Sequence, residues 1–280
     1  MHIRVRKPGP DYTFWYTGPV SGTMAAKRPK VCAVSYLNTS PLVWGMLHGP
    51  QRGLFDLSFR VPSACADMVS AGEADIGIVP AFELLHQDLE VIPGLGIACR
   101  GAVRSILLVS KVAAAAIRTL AADSSSRTSV ELARIVLARK YGARPVCTSH
   151  APALETMLRT ADAALLIGDP ALRLDPAALP YHVYDLGLEW CELTGRPMVF
   201  AVWAGRKGIL SPAITQAFHA SYRYGRTQLD EIVRLESLAR SFAPALVRRY
   251  LTTHILHEIG EAEHEGMRLF LQYARERVAA

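Results

Sequence analysis

The sequence predicts an α/β protein with two lobes, each built around a mostly parallel β-sheet. Short β-rich segments alternate with helical segments through the first two thirds of the 280 residues, which is the rhythm of βαβ units. After Ser211 the pattern is helical to the end, with breaks at Gly225, Pro244 and Gly260. We therefore expect the C-terminal helices to pack back on the first lobe.

The first third of the chain alternates four predicted strands with three predicted helices. The strands are Val31–Ser35, Leu57–Val61, Asp75–Val79 and Ser105–Ser110. The helices are about Pro41–Leu47, Ser63–Ala71 and Ala81–His86. A serine hydroxyl commonly caps a helix start, so Ser63 is the expected cap of the second helix.

The middle third repeats the same rhythm and predicts the second lobe. Its strands are Arg118–Ala121, Pro145–Thr148, Ala163–Ile167, His182–Tyr184 and Met198–Trp203, and its helices are Val130–Tyr141 and Ala151–Arg159. The strands at Ser105–Ser110 and Met198–Trp203 bracket this unit, so we expect them to be the crossovers. The predicted first lobe thus comprises residues 30–109 and 204–280, and the second comprises residues 110–203.

Composition and charge narrow the class of partner. Half of the residues are hydrophobic and 20% are charged, as in a globular protein with a sizeable core. The net charge is +6, of which residues 1–29 contribute +4, so the rest is close to neutral. That distribution does not favour nucleic acid as a partner, but it allows an anionic small molecule. No apolar run reaches the roughly 18 residues of a transmembrane helix, so no membrane partner is expected.

Residues 1–29 are rich in proline and glycine and have no apolar periodicity. We expect a disordered extension there, or a natural start at Met24 instead of Met1. The segment also lacks the apolar run of a secretory signal. Five well-separated cysteines without a Cys-x-x-Cys pair predict free thiols in a reducing, cytoplasmic location and no metal site.

The first candidate for chemistry follows the first predicted strand. The segment Ser35-Tyr36-Leu37-Asn38-Thr39-Ser40-Pro41-Leu42 lies at the carboxyl end of that strand, where open α/β sheets bind ligands. Tyr36 and Asn38 are therefore candidate site residues. The alternative is a polar turn in which Asn38 and Ser40 only cap the following helix.

A second candidate is the serine-rich start of the helix at Val130–Tyr141. Ser126, Arg127, Thr128 and Ser129 place hydroxyls and one guanidinium at a helix N-terminus, which suits a carboxylate or phosphate. The spacing Thr128-x-x-Glu131 also fits a capping box. The alternative is therefore an ordinary capped helix with Arg127 in solvent.

Two further groups of residues remain ambiguous from sequence. Gly168 and Asp169 end a buried strand, so the carboxylate would either bind a ligand hydroxyl or cap the helix that begins at Pro170. The histidines and glutamates between His254 and His264 do not match a His-Glu-x-x-His zinc motif, and we expect them on a solvated helix surface.

Taken together, these segments resemble the menaquinone biosynthetic enzymes of the futalosine route, and within that family the chorismate dehydratase branch. The resemblance runs from about Lys30 to the C terminus. Five ordered blocks carry it: Val34-Ser35-Tyr36-Leu37-Asn38-Thr39-x-Pro41-Leu42, Ala74 to Pro80, Val103-Arg104-Ser105, Ser126 to Val130, and Ala164 to Asp169, with Asp185 to Trp203 behind. The sister branch, dihydroxynaphthoate synthase, opens with Cys-Pro-Asn-Asp-Thr in place of Tyr-Leu-Asn-Thr.

The resemblance implies a two-lobed, periplasmic-binding-protein-like fold of the type II (Venus flytrap) kind that closes on its ligand. It implies a reaction that removes water from chorismate, giving 3-enolpyruvylbenzoate, without a metal or an organic cofactor. Loss of the C3 proton and the C4 hydroxyl makes the ring aromatic, so the driving force is built into the substrate. The enzyme then has to bind, orient and exclude water.

The resemblance also suggests roles for the candidate residues. Asn38 is the expected catalytic residue, and because an amide is not a strong base, the enolpyruvyl group of the substrate is expected to accept the proton. The expected substrate-binding residues are Tyr36, Ser105, Ser126, Arg127, Thr128, Ser129, Gly168 and Asp169. Among these, Ser105 and the segment from Arg127 to Ser129 would hold carboxylates, while Tyr36 or Asp169 would position hydroxyls.

Three alternatives remain open at this stage. One is a non-catalytic small-anion-binding protein of the same fold, which would be exported and would carry a signal peptide. Another is dihydroxynaphthoate synthase, which the Tyr-Leu-Asn-Thr block disfavours. The third is the effector-binding module of a regulator, which usually carries a further DNA-binding domain. The sequence leaves the oligomeric state open between monomer and homodimer.

Overall fold

The computed structural model describes residues 28–279, together with two short strands in the preceding segment. These strands, β1 (Val5–Arg6) and β2 (Thr13–Phe14), pair antiparallel. The predicted disordered extension and the choice between Met1 and Met24 otherwise lie outside the described residues. Within the described part, no helix combines the length and the apolar character needed to cross a membrane.

The first lobe is built on a six-stranded sheet. In order across the sheet, the strands are β13 (Leu256–Glu258), β6 (Leu89–Cys99), β12 (Met198–Arg206), β5 (Ile76–Pro80), β3 (Lys30–Val34) and β4 (Asp56–Arg60). β3 runs parallel to both β4 and β5. β12, β6 and β13 then continue the sheet in antiparallel pairs.

The second lobe is built on a five-stranded sheet. In order, its strands are β11 (His182–Asp185), β7 (Ile106–Ser110), β10 (Ala163–Ile167), β8 (Thr119–Asp123) and β9 (Val146–His150). β8 is parallel to β9 and to β10, whereas β7 is antiparallel to both of its neighbours. All five side chains of β7 and of β10 are buried, which explains their continuous apolar sequences.

Helices cover both sheets. They are α1 (Ser40–His48), α2 (Pro62–Ser70), α3 (Thr128–Tyr141), α4 (Leu154–Thr160), α5 (Gly168–Leu172), α6 (Leu186–Thr194), α7 (Pro212–Thr227), α8 (Leu229–Arg240), α9 (Pro244–Arg249) and α10 (Glu261–Ala279). Single 3₁₀ turns occur at Leu37–Thr39, Ala81–Leu85 and Ala114–Ala116, and a π-helical turn at Tyr250–His254.

Local sequence explains where the longer helices begin and end. The Ser211 hydroxyl accepts from the Ile214 amide and Pro212 occupies the first turn of α7. The Asp185 carboxylate accepts from the first amides of α6. Gly142 ends α3 with a φ of 69°, a conformation that glycine adopts without strain.

The structure differs from the sequence prediction at both crossovers. β7 pairs in the second sheet and β12 in the first. The chain therefore passes from one sheet to the other a few residues before each predicted boundary, at 109/110 and at 203/204. Both sheets are mixed instead of mostly parallel. The physical reason is that β7 and β12 enter from the opposite lobe and run back along their neighbours.

Strand β6 was not predicted. Pro93, Gly94 and Gly96 interrupt its apolar pattern, and such residues normally argue against a strand. The fold explains the glycine at position 96, because a Cβ there would lie 2.6 Å from the Ala201 carbonyl oxygen on β12. The pairing of β6 with β12 contains two register shifts, which accommodate the irregular residues.

The C-terminal helices pack on the first lobe, as predicted. α7 lies directly against α1, where Ser221 is fully buried and its hydroxyl donates to the Leu42 carbonyl at 2.8 Å. A Cβ at Gly225 would lie 2.1 Å from the Pro41 carbonyl oxygen. α10 reaches further and joins α3 of the second lobe through an ion pair between Arg277 and Glu131.

The close contact of α7 with α1 predicts the effect of a single methyl group. Gly225→Ala is expected to lower the free energy of unfolding by about 1–3 kcal/mol, because the backbones must separate. The change has this effect although alanine favours helices. Chemical denaturation followed by circular dichroism measures it. Gly260→Ala is the control, since its Cβ would meet only Glu263 Oε2 at 3.4 Å; equal losses in the two variants would contradict the packing argument.

Candidate active site

A cavity lies between the two sheets, at the carboxyl ends of β3 and β10. Its volume is about 50 Å³, which is below the roughly 300–1,000 Å³ of small-molecule sites. Its polar lining consists of Tyr36, Asn38, Ser105, Ser126, Thr128 and Ser129, and apolar side chains such as Ile97 and Phe200 form much of the rest. Among the residues that the structure describes, no acidic, basic or histidine side chain lines this cavity.

Seven of the nine residues predicted for the site line this cavity, because Gly168 joins the six polar residues. The other two, Arg127 and Asp169, are absent from its lining within the described part of the chain. The predicted residues therefore gather at one cavity, apart from the two charged residues, which have other contacts.

Tyr36 crosses from the first lobe to the second. Its hydroxyl lies 2.9 Å from Ser125 Oγ, and its ring packs on Gly168, where a Cβ would lie 2.4 Å from a ring carbon. Gly168 has a φ of 61°, which is a second reason for glycine at this position. Burial raises the pKa of Tyr36, and the bond to Ser125 opposes this only in part, so the phenol is neutral.

Asn38 sits in the 3₁₀ turn that follows β3, where its backbone and its side chain each have a hydrogen-bond partner. Its carbonyl oxygen accepts a hydrogen bond from His257 Nε2 at 2.7 Å. Its side-chain oxygen lies 3.4 Å from Thr39 Oγ1. Ser105, which lines the same cavity, accepts from the Tyr250 hydroxyl at 2.7 Å. The expected alternative, a simple helix cap, does not apply, because α1 begins without a side-chain cap bond from this turn.

The serine-rich loop before α3 is organised by a buried carboxylate. Asp123 accepts from the amide and hydroxyl of Ser125 at 2.9 and 2.6 Å, and from the Ile167 amide at 3.2 Å. Burial raises the pKa of Asp123, and these hydrogen bonds oppose the rise. The loop is thereby fastened to the end of β10, which brings Ser126 and Ser129 to the cavity.

The predicted capping box is wrong. The hydroxyl that accepts from an α3 amide is that of Ser126, which bonds the Ser129 amide at 3.1 Å. Thr128 Oγ1 instead accepts from the Phe82 amide of the first lobe at 3.1 Å, and Glu131 pairs with Arg277. Spacing alone fits the box, but the two side chains have partners that are distant in sequence.

Ser63 is likewise not a helix cap. α2 starts after Val61 without a side-chain cap bond, and the Ser63 amide donates to the Ser125 carbonyl at 3.0 Å. Its contact with the second lobe is one of several hydrogen bonds that join the lobes beside the cavity.

Arg127 joins the lobes instead of lying in solvent or in the described lining of the cavity. Its guanidinium contacts Glu83 Oε1 at 2.9 Å and Asp67 Oδ1 at 2.6 Å, and both carboxylates belong to the first lobe. Glu83 is buried, so this pair is shielded from solvent on one side. The sequence did not indicate this, because the partners lie 44 and 60 residues away.

Asp169 also joins the lobes, and it does not cap α5. Its Oδ1 accepts from the Leu37 amide at 2.9 Å and its Oδ2 pairs with Arg240. Arg240 donates to the Ser35 carbonyl at 3.0 Å and to Glu236 at 2.6 Å. The predicted roles in hydroxyl binding or capping are thus replaced by a buried interaction that holds residues 35–37 against the second lobe.

Sequence reasoning missed Tyr250 and His257, and it assigned His257 wrongly to a solvated surface. Tyr250 is 1% exposed and His257 is 5% exposed. Burial lowers the pKa of His257 to about 4, although its hydrogen bond to Asn38 opposes that change. The one sign of this burial in the sequence is the presence of the apolar residues Leu251, Ile255 and Leu256 in a segment that otherwise resembles a charged helix.

Comparison with known proteins gives a family and a fold. The model of the family described as menaquinone biosynthesis matches residues 29–276. The chain is 31% identical over 264 residues to the chorismate dehydratase of Thermus thermophilus, covering 88% of this chain and 95% of that protein.

Solved structures with low sequence identity share the fold. The Archaeoglobus fulgidus protein AF1704 matches with a TM-score of 0.71 and 15% identity, over 90% of this chain and 98% of that one. The alkanesulfonate-binding protein SsuA from Xanthomonas axonopodis, bound to MOPS, matches with a TM-score of 0.63 and 14% identity, over 92% and 94%. The expected periplasmic-binding-protein-like fold is therefore confirmed.

The buried imidazole predicts a specific loss of stability in acid. Unfolded, His257 would bind a proton below about pH 6.5, whereas in the fold it does so only below about 4. Between these values the unfolded chain holds more protons, so the free energy of unfolding decreases as the pH falls, by up to about 3 kcal/mol from this group. His257→Gln removes the titration and should flatten this part of the curve. Denaturation of both proteins from pH 7 to 4 measures the difference; parallel curves would contradict the prediction.

Proposed function

We propose that this chain, which belongs to the menaquinone biosynthesis family, removes water from chorismate to give 3-enolpyruvylbenzoate, a carbon–oxygen lyase reaction. The observation that carries the proposal is a cavity between the two sheets whose described lining offers hydroxyls and one amide but no side-chain base. The relative in Thermus thermophilus is a chorismate dehydratase that aligns over most of both chains, which supports the same assignment.

A dianionic substrate can be held here without a cation in the cavity. Ser126 and Thr128 each accept a backbone N–H bond, so each hydroxyl proton is left to donate elsewhere. Both lie at the N-terminus of the 14-residue helix α3, whose first-turn amides and dipole favour an anion. Ser129 adds a third hydroxyl to the same end of the cavity. We assign one substrate carboxylate to this group.

The proposed elimination is assisted by the substrate. The C3–H bond breaks and its proton passes to the enolpyruvyl group, which then gives that proton to the C4 hydroxyl as the C4–O bond breaks, so that the hydroxyl leaves as water. Among the described lining residues, Tyr36 is the one ionisable group, and its raised pKa makes the phenol a hydrogen-bond donor, not a base. Asn38 orients the enolpyruvyl group or the departing hydroxyl, and closure of the lobes excludes water.

The proposal includes a cytoplasmic location for the enzyme. This location is supported by the five cysteines, all of which are free thiols.

In this proposal Arg127 and Asp169 hold the lobes together and do not contact the substrate directly, since both are paired with charged groups of the protein. Monomer and homodimer are both compatible with a site built from one chain.

When purified protein is mixed with chorismate and a chelator, we expect mass spectrometry to detect a product that is lighter than chorismate by one water. In the same assay Asn38→Ala is expected to lower kcat by about 100-fold, because orientation of the reacting groups is lost. Asn38→Asp should also be impaired, since it brings a negative charge to a dianion.

Each outcome of this assay has a defined meaning. Tight binding of chorismate without product would favour the anion-binding proteins that share this fold, and neither binding nor product would favour the sister synthase. Wild-type turnover by Asn38→Ala would contradict the proposed mechanism but not the proposed reaction.

The helix-end site predicts a change in KM. Ser129→Ala is expected to raise KM for chorismate about tenfold with little change in kcat, because a hydrogen bond to a charged group contributes about 1.5–3 kcal/mol. Steady-state kinetics measure both constants. The matched control is Ser124→Ala, since Ser124 lies in the same loop but is exposed. An equal KM in Ser129→Ala and the wild type would place the carboxylate elsewhere.

A further inference from the structure

Two buried residues support the cavity from behind. Tyr250, in the π-helical turn, and His257, in β13, lie on a segment that follows α9 and returns to the first sheet. Neither belongs to the described lining, yet each bonds a group that does. Tyr250 donates to Ser105, and His257 donates to the Asn38 carbonyl. π-helical turns are rare and are frequent at functional sites.

Counting protons gives the direction of the bond between Tyr250 and Ser105. A phenol has one proton, and that of Tyr250 goes to Ser105 Oγ at 2.7 Å. Because the Ser105 oxygen accepts this bond, the hydroxyl proton of Ser105 is left to donate into the cavity that Ser105 lines.

His257 acts on the backbone of the same residue. The neutral imidazole carries its proton on Nε2, since the partner at 2.7 Å is a carbonyl oxygen, which only accepts. That carbonyl belongs to the 3₁₀ turn Leu37–Thr39, so the bond fixes the peptide that carries the Asn38 side chain. Asn38 is thus held at its main chain by His257.

We propose that Tyr250 and His257 are positioning residues: Tyr250 turns Ser105 into a hydrogen-bond donor to the substrate, and His257 fixes the turn that carries Asn38. The catalytic part of this inference rests on the proposed function. The hydrogen-bond part does not, and it can be tested on the protein without substrate.

The chain offers an unusually clean spectroscopic test, because Asn38 is its only asparagine. Labelling with ¹⁵N,¹³C-asparagine gives one side-chain NH₂ pair and one backbone carbonyl signal. His257→Leu is expected to shift the backbone carbonyl carbon. His257→Gln, which retains an N–H donor, should shift it less. Tyr184→Phe is the control, since its hydroxyl accepts from the Ala114 amide in the second lobe.

Kinetics with chorismate test the catalytic part. Tyr250→Phe is expected to lower kcat by about 10- to 100-fold, because small misplacements of an orienting group have effects of this size. KM should stay within about threefold, since the group at α3 is untouched. His257→Leu should lose kcat in the same way and His257→Gln should regain most of it. Tyr184→Phe should match the wild type in kcat.

The outcomes separate this inference from the proposed function. An unchanged asparagine carbonyl signal in folded His257→Leu, or an unchanged kcat in both Tyr250→Phe and His257→Leu, would overturn the inference while wild-type turnover of chorismate still upheld the function. Absence of wild-type turnover would overturn the function, and the NMR result would then decide the hydrogen-bond part alone. If Tyr250→Phe does not fold, shown by thermal unfolding, the comparison of His257→Gln with His257→Leu decides.

Discussion

The arrangement of the cavity depends on one buried guanidinium, that of Arg240, whose side chain is 11% exposed. It bonds the Asp169 carboxylate of the second lobe, the Ser35 carbonyl and Glu236. Glu236 in turn accepts from the Ser40 hydroxyl at 2.9 Å. A buried ion pair is favourable only when further hydrogen bonds satisfy both charges, and here they do. The same contacts fasten both ends of residues 35–40, the segment that presents Tyr36 and Asn38 to the cavity.

Charge and cavity are kept apart in this fold. Arg127 and Arg240 lie where the lobes meet and are paired with carboxylates of the protein, whereas the described lining consists of uncharged groups. The hydroxyls of Ser126 and Thr128 each receive a hydrogen bond from a backbone N–H, so their protons point away from the protein. A site of this kind attracts an anion through oriented dipoles. It also leaves the proton-accepting carboxylate of a bound substrate without a competing cation.

The sequence predicted the parts of the site that depend on local rules. Ligands bind at the carboxyl ends of strands in α/β sheets, so Tyr36 and Asn38 after β3 and Gly168 after β10 were candidates, and all three line the cavity between the two sheets. Partners distant in sequence could not be inferred. The carboxylates that bind Arg127, the guanidinium that binds Asp169 and the amide that bonds Thr128 come from other elements.

The same reason explains the missing strand β6 and the missing support of Asn38. Glycine and proline in β6 signal a break in a single sequence, whereas the fold uses Gly96 for close approach to β12. His257 lies among charged residues in sequence, and only the return of β13 to the first sheet shows that it is buried.

A fold shared with a sulfonate-binding protein at 14% identity does not by itself indicate catalysis, so the distinction must lie in a few side chains. A binding protein needs donors that match its ligand. A dehydratase whose substrate contributes both the driving force and the proton acceptor needs little more than this, provided that one group is held rigidly at the reacting carbons. Basicity at that position is then unnecessary, whereas freedom of rotation is harmful. The turn that carries Asn38 meets this requirement, because the Asn38 carbonyl is bonded to the buried His257.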